Sequence, residues 1–137
     1  MLKPFALASL LALAAAGVAL AHGDGAPSPV DTKGLKELGE DPVAENPYRG
    51  DKLAISIGAG GYNQNCARCH GLDAKSGGMA PDLRELPSDA EGDSWFYARV
   101  AGGATKDGRV RMPPFLGILN QEAIWAIRTY VENQPKD

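Results

Sequence analysis

The sequence predicts a mainly helical domain, because apolar residues recur at helical spacing and no stretch alternates as a half-buried strand would. The clearest helical pattern follows Asn120, where Ile124, Ile127 and Val131 fall on one face. Glycine and proline separate the helical stretches, and the sequence has no β-branched run of strand type. The chain has 137 residues and a net charge of −3, which fits one domain and argues against a nucleic-acid-binding role.

Residues 1–21 have the layout of a cleaved secretory signal peptide. Lys3 supplies a positive start, an almost unbroken apolar run extends to Leu20, and Ala19-Leu20-Ala21 matches a small-residue cleavage site. The run is short for a membrane span and no stop-transfer charges follow it. We therefore expect export to the periplasm and a mature chain that begins near His22, with an uncleaved membrane anchor as the alternative.

Cys66-Ala67-Arg68-Cys69-His70 contains both cysteines of the chain and one of its two histidines. The spacing C-x-x-C-H is typical of c-type haem attachment. On a helical turn, at about 100° per residue, both thiols can reach the vinyl groups of one haem while His70 binds its iron. A dithiol redox site would call for a βαβ pattern, and a zinc site for more Cys or His ligands. One covalently attached haem c is therefore the expected cofactor.

Residues 22–46 are rich in Gly, Pro, Asp and Glu and predict an extended arm that wraps the surface or stays mobile. The haem domain is placed at 47–137. Its first helix is expected to begin at Asn46-Pro47, since Asn is a good N-cap and Pro suits the first helical position. The pair Gly60-Gly61 is expected to end or kink this helix, or to admit another backbone very closely.

Two more segments complete the predicted helical set. Ser88-Asp89-Ala90-Glu91 matches a capping box and predicts a helix, although Gly92 weakens its first turn and moves its expected start toward Asp93 or Ser94. Trp95 falls in this helix, either in the wall of the haem pocket or as a hydrogen-bond donor to a haem propionate. Residues 104–119 are expected to form a loop, and the last helix to start after Asn120.

The ring of His70 needs a partner for its second N–H, because metal-bound histidines usually donate to a carbonyl or carboxylate. The turn-rich residues 71–78 lead from His70 to Pro81. The carbonyl of Pro81 is the candidate acceptor.

On the opposite face of the haem, the mature chain offers two methionines as iron ligands. Met112 precedes Pro113-Pro114, which hold the chain extended, and it can approach from the other side. Met79 is within reach along an extended chain but would occupy the turn that carries Pro81. Met112 is therefore favoured, with Met79 or an open site as the alternatives.

The sequence resembles the class I cytochromes c over residues 47–134. This resemblance rests on the C-x-x-C-H run, Ala80-Pro81-Asp82-Leu83, Met112-Pro113-Pro114 and the closing helix. Residues 61–72 and 77–84 are similar to PedF-type cytochromes c, which accept electrons from periplasmic PQQ-dependent (quinoprotein) alcohol dehydrogenases. The resemblance implies an all-α fold in which the first and last helices cross around a covalently bound haem.

The same resemblance implies the roles of the site residues. Cys66 and Cys69 become the covalent attachments, His70 and Met112 the axial ligands, and Pro81 the partner of the histidine ring. Iron held by histidine and methionine has no free position for oxygen or peroxide. We therefore expect an electron carrier and not an enzyme.

The expected donor is a PQQ-dependent alcohol dehydrogenase, and the expected acceptor is a terminal oxidase or another cytochrome. The protein is expected to be a monomer that forms transient complexes. Two other functions stay open: a haem enzyme or gas sensor with an open distal site, and a permanent haem subunit of a dehydrogenase complex. Five cations either form a docking rim or offset the haem propionates from a solvated loop, namely Arg68, Lys75, Lys106, Arg109 and Arg111.

Overall fold

The computed structural model describes residues 26–137, so the predicted signal peptide and His22 lie outside the described residues. Within that range the chain forms four α-helices and one β-hairpin: α1 (Lys52–Asn65), α2 (Ala67–His70), α3 (Ala90–Gly102), β1 (Ala104–Lys106), β2 (Arg109–Met112) and α4 (Gln121–Glu132). Short 3-10 turns cover Leu72–Ala74 and Leu83–Glu85. None of the helices in the described range is long and apolar enough to cross a membrane.

α1 begins later than the sequence predicted, because a different residue caps it. The carboxylate of Asp51 accepts hydrogen bonds from the backbone N–H groups of Leu53, at 2.8 Å, and Ala54, at 3.0 Å. Residues 47–50 form a turn instead, in which Gly50 takes a φ of +82°. The N-cap prediction for Asn46 was therefore wrong.

The crossing of α1 with α4 depends on Gly58. A Cβ atom at this position would overlap the carbonyl oxygen of Ala126 and lie 2.5 Å from its carbonyl carbon. At Gly61 the nearest atom would be a side-chain carbon of Ile127 at 3.1 Å, and at Gly60 no atom lies within 4 Å. The predicted end or kink at Gly60-Gly61 was wrong, because α1 continues against α4 to Asn65.

α3 starts at Ala90, earlier than the start that Gly92 led us to expect. Asp89 accepts a hydrogen bond from the backbone N–H of Gly92 at 2.9 Å and so caps the helix. Gly92 is needed for packing, since a Cβ there would overlap the carbonyl oxygen of Pro87. The expected start at Asp93 or Ser94 was therefore wrong.

Residues 104–112 form a hairpin and not the predicted loop. Lys106 pairs with Arg109 across the turn Asp107-Gly108, whose φ angles are +53° and +70°. Two positive φ values are the mark of a type I′ turn, and Asp-Gly is one of its preferred sequences. The loop prediction was wrong because it weighed the prolines that follow and overlooked this turn signal.

The described part of the arm, residues 26–46, lies against the helices. Leu35 and Leu38 pack on a buried cluster that contains Trp125 and Tyr48. The backbone N–H of Leu38 also donates to Glu122 Oε1 at 2.7 Å. This part of the arm wraps the surface, as one of the two sequence interpretations proposed.

A cluster of charged residues around the buried side chain of Asp93 joins the end of the arm to α3 and α4. The fully buried carboxylate of Asp93 accepts hydrogen bonds from Asn46 N–H at 2.8 Å, Arg49 Nη2 at 2.7 Å and Arg128 Nε at 3.0 Å. Glu132 lies 3.0 Å from Arg128 Nε and 2.9 Å from Arg49 Nη2. Removing one member would leave another charge buried without its partner, which is costly.

Substitution of Gly58 tests the helix crossing. Gly58→Ala is expected to lower the free energy of unfolding by about 3 kcal/mol, because the new methyl group overlaps backbone that cannot rotate away. Gly60→Ala, in the same helix, meets no atom within 4 Å and is expected to be neutral or slightly stabilising. Urea denaturation of the haem-loaded variants measures both, and equal losses would contradict the close crossing.

Substitution of Asp93 tests the charge cluster through pH. Burial raises the pKa of Asp93, but hydrogen bonds from Asn46, Arg128 and Arg49 outweigh it, so its pKa lies below the ordinary 3.8. The stability that the carboxylate contributes is complete above that value and is lost as the pH falls through the folded pKa. Asp93→Asn is expected to cost about 3 kcal/mol at pH 7, and the difference from wild type should shrink below about pH 4.

The control for this prediction is Asp41→Asn. Asp41 is exposed and forms no ion pair among residues 26–137. Unfolding titrations from pH 7 to pH 3 should leave this control close to wild type throughout. A constant deficit of Asp93→Asn at every pH would show that its effect is steric and not electrostatic.

Candidate haem-binding site

A cavity of about 300 Å³ lies between the C-x-x-C-H turn, the 3-10 turn that begins at Leu83, α3 and the hairpin. Its wall is mainly apolar and includes the buried side chains of Leu83, Phe96 and Phe115. Every site residue that the sequence predicted lines it: Cys66, Cys69, His70, Pro81, Trp95 and Met112. Residues far apart in the chain therefore converge on one space.

The two cysteines lie on the short turn that joins α1 to α2. Backbone hydrogen bonds run from the N–H groups of Cys69 and His70 to the carbonyl of Cys66, at 3.1 and 3.0 Å, and hold the turn helical. Neither cysteine is in a disulfide. Burial, with a smaller contribution from Cys69, raises the pKa of the Cys66 thiol to about 12. A dithiol redox site would need the opposite, a thiol with a lowered pKa.

The ring of His70 is buried, with 9% of its surface exposed, and its Nδ1 lies 2.8 Å from the carbonyl oxygen of Pro81. A carbonyl can only accept, so Nδ1 carries the proton and donates it in this bond. Nε2 then has a free lone pair, which is the form of histidine that binds a metal. The structure thus brings together the two residues that the sequence paired.

A polar network positions the Pro81 carbonyl. Arg84 is almost buried, and its guanidinium donates to Asp82 at 2.8 Å and to the carbonyl oxygen of Pro135 at 3.0 Å. The Ser76 hydroxyl donates to the carbonyl of Ala80. Hydrogen bonds from Arg84 hold the pKa of the Asp82 carboxyl well below its usual range. The sequence analysis did not predict these hydrogen bonds. The available signal was Asp82, which caps the 3-10 turn by accepting a hydrogen bond from the backbone N–H of Arg84 at 3.0 Å.

The two methionines occupy different environments in the cavity wall. Met112 is partly buried and packs against the main hydrophobic core. Met79 also lines the cavity but keeps 78% of its surface exposed. A thioether that packs against the core is better suited than a solvated one to hold a constant position beside a metal, which favours Met112.

A β-bulge aims the end of the hairpin at the cavity. Ala104 pairs with Met112 and Thr105 with Val110, so Arg111 is an extra residue in β2. Bulges of this kind redirect side chains, and here both Arg111 and Met112 line the cavity. Strict alternation along a strand would have placed these neighbours on opposite faces.

Gly103 brings the end of the hairpin onto α3. It has a φ of +70°, and a Cβ there would lie 2.5 Å from the carbonyl oxygen of Met112 and 2.8 Å from Pro114 N. Just beyond, the backbone N–H of Phe115 donates to the carbonyl of Val100 at 3.0 Å. The segment that carries Met112 is therefore fixed to the cavity wall on both sides.

Two arginines add positive charge to this apolar wall. The guanidinium of Arg99 lies 5.1 Å from the ring centre of Trp95, and both side chains line the cavity together with Arg111. Trp95 is 42% exposed, so its ring stands at the cavity mouth. Haem is an apolar ring with two carboxylates, and an apolar cavity with free thiols, a histidine and two cations fits it. Sequence reasoning missed Arg99, which follows Trp95 by one helical turn.

Comparison with known proteins also identifies the chain as a haem protein. Residues 54–131 match the family model described as cytochrome C oxidase, cbb3-type, subunit III. Cytochrome c550 of Pseudomonas aeruginosa is 56% identical over 128 residues, which cover 90% of this chain and 88% of that protein.

Two solved structures have a similar fold. Cytochrome cL of Methylophaga aminisulfidivorans matches with a TM-score of 0.52 at 24% identity, over 75% of this chain and 72% of that one. Quinohemoprotein alcohol dehydrogenase ADH-IIG of Pseudomonas putida matches with a TM-score of 0.50 at 34% identity, over 71% of this chain but only 14% of the dehydrogenase. The chain therefore belongs to the class I c-type cytochromes, with one covalently attached haem c, and it is an electron carrier rather than an enzyme.

Proposed function

We propose that this cytochrome takes single electrons from a PQQ-dependent alcohol dehydrogenase in the periplasm and passes them to a terminal oxidase or another cytochrome. The observation that carries the proposal is that a quinohemoprotein alcohol dehydrogenase contains a segment of this fold at 34% identity. The matching family is described by the name of an oxidase subunit, which supports the class of acceptor. The signal-peptide pattern of residues 1–21 supports the location.

The proposed site uses five of the cavity residues. Cys66 and Cys69 hold the haem through thioether bonds, and the proton on His70 Nδ1, donated to Pro81, leaves Nε2 for the iron. Met112 would supply the second protein ligand to the iron, because its side chain is partly buried and packs against the core, whereas that of Met79 is exposed. When bound, the haem supplies an iron centre that gains and loses one electron. Two protein ligands would leave the iron no free position for a small molecule.

Trp95 and the two arginines complete the proposed site at the cavity mouth. The indole N–H of Trp95 would donate to a propionate, and the guanidinium of Arg99 lies over the same ring. Cations beside carboxylates stabilise the charged form of both. These residues orient the polar edge of the haem, while the apolar wall excludes water from its face.

Loss of Met112 tests the ligand assignment. The reduced wild-type protein is expected to bind little carbon monoxide at neutral pH, whereas reduced Met112→Ala should bind it promptly and stoichiometrically because one iron position is open. Its midpoint potential should also fall, since thioether ligation favours ferrous iron. Visible absorption during a carbon monoxide titration measures the binding.

Met79→Ala is the matched control, because this methionine lines the same cavity from an exposed position. It should leave both carbon monoxide binding and the potential as in wild type. Prompt binding by wild type, or by Met79→Ala alone, would remove Met112 as the ligand.

Reduction by the donor tests the proposed pathway. The oxidised cytochrome is expected to accept one electron per haem from a purified PQQ-dependent alcohol dehydrogenase supplied with alcohol, followed by absorption at the haem bands. Omitting the alcohol, or using dehydrogenase depleted of PQQ, should abolish the reduction. If fully active dehydrogenase leaves the cytochrome oxidised, the assigned donor is wrong.

A further inference from the structure

The hairpin tip concentrates positive charge on an acidic protein. Lys106, Arg109 and Arg111 are exposed, and Asp107 is the one carboxylate among residues 104–112, in a chain with a net charge of −3. Within the described residues, none of these three cations lies within ion-pair distance of a carboxylate, in contrast to Arg49, Lys75, Arg84 and Arg128. We call Lys106, Arg109 and Arg111 the basic hairpin.

Stability does not explain this arrangement. Lys106 and Arg109 are cross-strand partners, and like charges placed directly opposite each other destabilise a β-ribbon. A two-stranded hairpin is itself only marginally stable. Val110, between the two arginines, leaves 67% of its apolar side chain exposed. An exposed apolar residue between cations offers both apolar contact and charge, which are the features of the centre and rim of a protein–protein interface.

The basic hairpin lies beside the haem cavity. Ala104, Arg111 and Met112, all in the two strands, line the haem cavity. A protein bound at the hairpin tip would therefore lie close to the haem cavity. Lys75, which the sequence grouped with these cations, forms an ion pair with Asp137 at 3.0 Å and does not belong to this surface.

We propose that the basic hairpin docks an acidic protein surface, the Asp- and Glu-rich rim around the redox centre of the protein that donates electrons. Opposite charges steer the encounter and orient the partner, while Val110 supplies apolar contact once the surfaces meet. The inference rests on the proposed function in assuming a protein donor. The charge of the hairpin, however, can be tested without that donor.

The first test reverses the charge of the tip. Lys106→Glu/Arg109→Glu reverses the two charges that face each other across the strands, and it leaves Arg111 in the cavity wall intact. The second-order rate of reduction by PQQ-dependent alcohol dehydrogenase should fall about tenfold at low ionic strength. The difference should shrink as salt screens the charges.

The control variant Lys33→Glu/Lys36→Glu makes the same change in net charge on the exposed surface of the arm. Its rate should stay within about twofold of wild type. Equal slowing of both variants would show that only net charge matters, and no slowing of the hairpin variant would show that the donor docks elsewhere. Either result overturns the proposal. Unchanged midpoint potentials in both variants establish that the driving force is the same.

The second test needs no biological partner. Ferricyanide, a small anion, should oxidise the reduced wild-type cytochrome more slowly as salt is added, despite the net negative charge of the protein, because the local potential is positive. The hairpin variant should show the opposite salt dependence, and the arm variant should behave as wild type. Identical salt dependence in wild type and hairpin variant would overturn the proposal. If the dehydrogenase fails to reduce wild type while ferricyanide discriminates the variants, only the proposed donor is wrong.

Discussion

The close approach of α1 to α4 at Gly58 determines where the functional groups lie. Because no side chain separates the two backbones at Gly58 and Ala126, α1 runs past α4 and ends at Asn65, directly before Cys66. α4 meanwhile carries Arg128 to the buried carboxylate of Asp93 in α3. The pair α1 and α4 thus positions both the C-x-x-C-H turn and α3, which forms part of the cavity wall.

Local sequence signals predicted those parts of the site that depend on spacing within a few residues. The C-x-x-C-H run specifies its own helical turn, and Asn120 caps α4 as expected, accepting a hydrogen bond from Ala123 N–H at 2.9 Å. The sequence analysis predicted a loop where the hairpin lies, because Pro113 and Pro114 follow Met112. Asp107-Gly108, a preferred sequence of the type I′ turn, was the signal for the hairpin. The start of α1 was missed because Asn46, a good cap, is used in the core instead, where its N–H binds Asp93.

Other features were beyond sequence reasoning because they depend on contacts between distant segments. The role of Arg84 arises from its hydrogen bond to Pro135, near the end of the chain. Arg49, Asp93 and Arg128 are ordinary surface residues by pattern and form one cluster around the buried carboxylate of Asp93 only when the arm, α3 and α4 meet. The bulge that turns Arg111 and Met112 to the same cavity depends on the register of strand pairing, which composition does not determine.

The size of the apolar cavity connects haem attachment with folding and assembly. The wall of this cavity, about 300 Å³ in volume, is mainly apolar, and apolar surface left against water costs free energy that burial under a haem would recover. A haem bound in this cavity would therefore stabilise the fold as well as supply its redox centre. A chain stabilised by its cofactor in this way would be more exposed to proteolysis wherever haem is scarce.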